Sequence, residues 1–212
     1  MPNQAKLPAP DTLYLHPHGY PVHIDVSERQ LDGKGVAMRF ELPPRGHNFP
    51  LKHQHESKLV VALVGQLQLR CGHLILADLQ SGQAVVLQPG KAHRILQQGQ
   101  DCAMVGVALW PGRVEHAFRD IAAQVAQHGF ERSALIAILA GYGVSWDHGF
   151  AATDPPAAVL PVQTLAQALT VLPPELSAAL AQCWHTRGRN AGTMLTYSTD
   201  DNALSTPPGQ TI

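Results

Sequence analysis

The chain has 212 residues, 45% of them apolar, and a formal net charge of −1 from 15 basic and 16 acidic side chains. That length suffices for one barrel with a helical appendage or for two small domains. The basic residues are scattered, which gives no electrostatic basis for a nucleic-acid partner, and no apolar run approaches the roughly 20 residues that span a bilayer.

Met1 to Pro10 lack the basic, apolar and small-residue regions of a secretory signal, so the expected location is cytoplasmic. Residues 1–34 read as an N-terminal arm carrying two β-prone pieces, Thr12 to His16 and Val22 to Val26, each bounded by Pro or Gly. Residues 35–112 change character: short runs rich in Val, Leu and Ile are broken by turn residues at intervals of roughly 8 to 12 residues, an all-β pattern. The predicted strands are Val36 to Leu42, Leu51 to His55, Leu59 to Val64, Gln66 to Arg70, Leu74 to Ala77, Ala84 to Leu87, His93 to Leu96 and Ala103 to Leu109. An unpaired sheet edge would otherwise be left exposed, so the arm is expected to bury it in a homodimer.

Past Pro111-Gly112 the period becomes helical, with Val114, Phe118, Ile121, Ala122 and Val125 on one face. Gly129 stops that helix, Phe130 to Ala140 offers a second, and Gly141-Tyr142-Gly143 ends it. A linker-like stretch, Ala151 to Pro161, precedes predicted helices Leu165 to Val171 and Pro174 to His185. Residues 113–187 are therefore expected to be a helical extension and residues 188–212 a flexible tail. Val125 to Ser145 has a faint helix-turn-helix look. Its charges balance, however, and Ser133 to Leu139 offers apolar groups where phosphate and base contacts are needed, so no nucleic-acid partner is expected. Cys71, Cys102 and Cys183 are widely spaced and form no Cys-x-x-Cys pattern; they read as packing residues rather than a disulfide framework.

Twelve histidines beside 15 Lys plus Arg is a high count. The informative stretch is Lys52-His53-Gln54-His55, since a strand aims alternate side chains at one face. A second element, Gly82 followed by Pro89-Gly90-Lys91-Ala92-His93, places a turn before a strand opening with His93. If the sheet closes, that strand delivers His93 opposite the first pair. Three imidazoles suit a divalent transition metal, Fe, Zn, Ni, Mn or Cu, with positions left open for a small-molecule ligand. On the same parity Leu59, Val61 and Leu63 would line the pocket, joined by Ile95 and Gln97 from the His93 strand. Glu56, next to His55, should face away, and Lys58 falls by parity on the outer face. A register slip of one would instead make Lys58 a pocket cation. His47 and His73 read as loop or turn residues, and His16, His18 and His23 as part of the arm.

The order His53-x-His55, Gly65, Gly82, Pro89-Gly90-x-x-His93 resembles the two motifs of the cupin superfamily, and the helices beyond it are similar to those of bacterial single-domain cupins related to quercetin dioxygenase. The resemblance implies an all-β barrel (a double-stranded β-helix jelly roll) with C-terminal α-helices, a metal held by His53, His55 and His93, and dioxygenase-like chemistry on a small organic substrate. The most important of several departures is the family's motif glutamate: counting from His55 puts Leu59 at its place, and counting back from Gly65 puts Lys58 there. A non-catalytic binding or sensing module without metal is the alternative expectation, since this fold does not fix a function.

Overall fold

A computed structural model describes residues 11–16, 21–146 and 159–185. The predicted tail and most of the predicted linker lie outside the described residues. The first strands, β1 (Asp11–Tyr14) and β2 (Pro21–Val26), are followed by a 3-10 turn (Glu28–Leu31). Then come β3 (Val36–Leu42), β4 (Leu51–His53), β5 (Ser57–Val64), β6 (Leu67–Cys71), β7 (Leu74–Leu79), β8 (Gln83–Leu87), β9 (Arg94–Gln97) and β10 (Ala103–Trp110). Helices α1 (Val114–His128) and α2 (Arg132–Gly141) precede β11 (Val144–Trp146) and β12 (Gln163–Thr164), and α3 (Leu165–Leu169) and α4 (Pro174–His185) follow.

The expected all-β body with C-terminal helices is present, built from separate sheets rather than from one sheet closed on itself. The larger sheet has the order β1-β2-β3-β10-β5-β8-β12, all antiparallel. The arm's two strands thus continue the main sheet. The smaller sheet, β7-β6-β9, runs on through bridges between His47 and Leu96 and between Leu51 and His93 to β4, which pairs with β11. One apolar core lies between these layers: Val60, Ala62, Val105 and Val107 come from the larger sheet, and Leu67, Leu69 and Ile95 from the smaller.

The tight turn between β5 and β6 depends on Gly65, whose φ of 83° is natural only to glycine and whose place leaves a Cβ only 3.0 Å from the Ala103 side chain. Helix α1 covers one end of the core with Val114, Ala117, Ile121 and Val125. Its start is fixed by the buried Glu115 carboxylate, which accepts from Ser27 Oγ at 2.9 Å, from the Glu28 backbone N–H at 2.6 Å and from Arg119 Nε at 2.9 Å.

Helices α3 and α4 cover the other face of the larger sheet, forming a second core. There Leu176, Leu180 and Trp184 meet Leu59, Val61, Ala84 and Ala108. Each fully buried leucine contributes about 2 kcal/mol through the area it removes from water. Trp184 Nε1 donates to Asp25 Oδ2 at 2.9 Å, and Arg39 Nε donates to Asp25 Oδ1 at 2.9 Å, which ties α4 to β2 and β3. No helix among the described residues is long and apolar enough to cross a membrane.

Candidate functional site

Strand β4 ends at His53, and Gln54 to Glu56 bend before β5 begins at Ser57. This interruption resets the side-chain alternation. His53 points inward and is 4% exposed, whereas His55 is exposed and lies against Gly143, at whose position a Cβ would stand 2.7 Å from His55 Cδ2. Within β5 the residues on the inner face are Lys58, Val60 and Ala62, while Leu59 and Val61 belong to the second core beneath α4. Leu63 also packs on that outer side. The expectation that Leu59, Val61 and Leu63 line the pocket is therefore corrected, as is the outward placement of Lys58. The bend shifts parity by one, and the count taken back from Gly65 is the one the backbone follows.

His93 lies opposite His53. Backbone hydrogen bonds from Leu51 N to His93 O (3.2 Å) and from His93 N to Leu51 O (3.3 Å) hold the β9 approach beside β4. The Pro89-Gly90 turn docks through Gly90 N on His53 O at 2.6 Å. These ties bring the two rings to a centroid distance of 6.4 Å with 27° between their planes. His93 Nδ1 lies 3.1 Å from the Lys91 carbonyl, which can only accept, so that nitrogen carries the proton. The lone pair on Nε2 is then free to accept from Lys58 Nζ, 2.9 Å away.

The Lys58 amine is 4% exposed, and among the described residues no carboxylate lies within ion-pair distance of it. Burial alone lowers its pKa from 10.5 to about 7. Burial, reinforced by the neighbouring Lys58, pushes His53 and His93 well below the ordinary imidazole value, so both are neutral. Behind His53 stands Glu56, 2% exposed, with Oε2 3.6 Å from His53 Nδ1; burial raises its pKa. Among the described residues neither ring nitrogen of His53 has a hydrogen-bond partner, and neither does Glu56 Oε2.

Of these groups, His53 and Lys58 border an apolar cavity of about 300 Å³. Val22, Met38 and Phe40 wall it from β2 and β3, Val107 and Leu109 from β10, Phe49 and Leu51 from the β4 approach, and Phe118 from α1. His53, Lys58, Asn48 and His16 are its polar or ionisable lining. Asn48 Oδ1 is already engaged by the Ile95 backbone N–H at 2.7 Å. Of the other residues expected to line the pocket, Ile95 is fully buried in the shared core and is not on this wall. Gln97 is buried too, but it turns away to donate to the Asp101 carbonyl.

A divalent metal is what the sequence pattern implies here, and the residues present do not fit one. His55 is exposed, the His93 lone pair is taken by Lys58, and a basic amine shares the cavity wall with His53. Among the described residues no group of three or more His, Cys, Asp or Glu side chains is placed to hold an ion. The cavity-lining residue that parity reasoning placed outside is Lys58; the signal that finds it is its spacing from Gly65.

The fold and the site together define two layers of antiparallel sheet with C-terminal helices, in which a buried lysine and a neutral histidine line an apolar cavity and a second neutral histidine accepts from the lysine. No family model matches the sequence, and no curated protein matches it. Solved structures similar to the chain are double-stranded β-helix and cupin proteins among others. One is an uncharacterised conserved protein with a double-stranded β-helix domain from Klebsiella pneumoniae, 13% identical, with 47% of this chain and 84% of that one covered and a TM-score of 0.41. A predicted oxalate decarboxylase from Thermotoga maritima is 18% identical, with 48% and 91% covered and a TM-score of 0.40. The polyketide cyclase RemF from Streptomyces resistomycificus is 15% identical, with 52% and 80% covered and a TM-score of 0.42.

Proposed function

We propose that this protein binds a small organic molecule in a metal-independent way, holding an apolar body in the cavity and a carbonyl or carboxylate oxygen against Lys58. The observation that carries this reading is the Lys58 Nζ to His93 Nε2 hydrogen bond at the wall of the cavity. An amine in that place offers further N–H donors to a ligand oxygen. The aromatic and aliphatic wall formed by Phe40, Phe49, Met38 and Leu109 supplies the apolar contact. A dioxygenase-like reaction at a metal would need the three imidazoles of His53, His55 and His93 to converge, and the positions of His55 and Lys58 speak against it.

The test uses untagged protein and the aromatic acid 2-naphthoate. Wild type should bind it saturably at neutral pH, Lys58→Met should bind it at least about ten-fold more weakly, and the protein as purified should carry no stoichiometric transition metal. Stoichiometric Zn, Fe, Ni, Mn or Cu lost on His53→Ala would overturn the reading.

A further inference from the structure

Lys58 differs from every other lysine described in the chain by its surroundings. Lys34 pairs with Glu175 on the surface at 2.6 Å, whereas Lys58 is enclosed and faces an apolar cavity, and among the described residues its hydrogen-bond partner is the lone pair of a neutral imidazole. Among the described residues no carboxylate stands beside it to pair with a positive charge. The fold holds the amine in an environment that favours its neutral, nucleophilic form, with a proton acceptor already in contact.

We infer that Lys58 forms a reversible covalent imine with an aldehyde or ketone carried in the cavity, so that carbonyl compounds with an apolar aromatic or aliphatic body are the ligand class of this site. The inference rests on the binding reading above and makes it more specific. In the step, the Lys58 nitrogen bonds to the carbonyl carbon and the C=O π pair moves to oxygen. The nitrogen gives up its two protons to that oxygen, the transfer passing through His93 Nε2, and the oxygen leaves as water as the C=N bond forms. No electrons are exchanged with another reagent, and addition of water reverses the step. His53, on the cavity wall and with neither ring nitrogen hydrogen-bonded among the described residues, is placed to hold the proton at the departing oxygen. The apolar wall limits the water available for hydrolysis.

The experiment uses the full chain and 2-naphthaldehyde as the probe, with 2-naphthylmethanol as a companion of the same shape that forms no imine. Binding of the alcohol is followed by fluorescence. Imine formation is read by cyanoborohydride reduction, digestion and mass spectrometry. The expected result is a naphthylmethyl group on Lys58 at an occupancy at least about ten-fold above that on Lys6, Lys34, Lys52 or Lys91, because the cavity holds the carbonyl beside one amine. Excess alcohol should suppress the label at Lys58 and leave that on the other lysines unchanged. Mapping the label on wild type makes the result independent of how any variant folds; Lys58→Met, with its fold checked by circular dichroism, should show only the label on the other lysines. Saturable alcohol binding without preferential label at Lys58 would overturn the imine while leaving the pocket reading intact. Absence of both would overturn the two together.

Discussion

The buried amine has a thermodynamic signature that can be measured apart from any ligand. In the folded protein Lys58 titrates at about 7, against 10.5 for an ordinary lysine, with burial as the cause. Between these values the unfolded chain holds a proton that the folded chain has released, so stability rises with pH across this window. Integrating the linkage from pH 7 to pH 9 makes the wild type about 2 kcal/mol more stable at the upper end. His53 and His93, held well below 6.5, have lost their protons in the folded state before the window opens. Lys58→Met keeps an unbranched side chain and removes the titration; it also leaves His93 Nε2 without its donor, at a cost of about 1 to 3 kcal/mol that does not vary over this range. Urea unfolding of both proteins at pH 7 and pH 9 separates the two effects, because all other titrations cancel in the double difference. The wild-type gain should exceed that of the variant by about 2 kcal/mol. Equal pH dependence in the two would refute the buried, unpaired amine and the reasoning that follows from it.

Replacing the amine by a carboxylate should convert the site: Lys58→Glu puts one acid between two inward imidazoles, a donor set suited to divalent transition metals, and calorimetry with Mn or Zn should show binding that wild type lacks. Leu59→Glu, which parity would make a ligand-creating change, instead places a carboxylate under α4, where Leu59 is fully buried against Leu176 and Leu180. It should cost more than about 4 kcal/mol in chemical unfolding and confer no metal affinity. Acid sensitivity should come from the two imidazoles. Their folded pKa values lie well below 6.5, so the unfolded chain takes up protons first and stability falls as the pH drops below 6.5. His53→Gln should flatten that limb, as judged by melting temperatures between pH 7 and pH 5.

Much of the architecture could be read from local pattern, because strand and helix periods are properties of neighbouring residues. Val36 to Leu42 and Pro174 to His185 occur with the expected limits, Ala103 to Leu109 runs one residue longer, and the inward course of His53 and the burial of His93 follow from strand alternation and the Pro89-Gly90 turn. The site's chemistry was not local. Alternation carries a side chain's direction only while the strand is unbroken, and the bend at Gln54 to Glu56 resets it, sending His55 to the surface and Lys58 inward. A run such as Leu59, Val61, Leu63 is equally apolar whether it faces a pocket or a helix, so only the packing of Leu176, Leu180 and Trp184 decides which. Sequence by itself determined that a histidine-bearing β fold would form. Tertiary structure decided that its inner wall presents an amine to the cavity, since that depends on which element covers each face of the sheet.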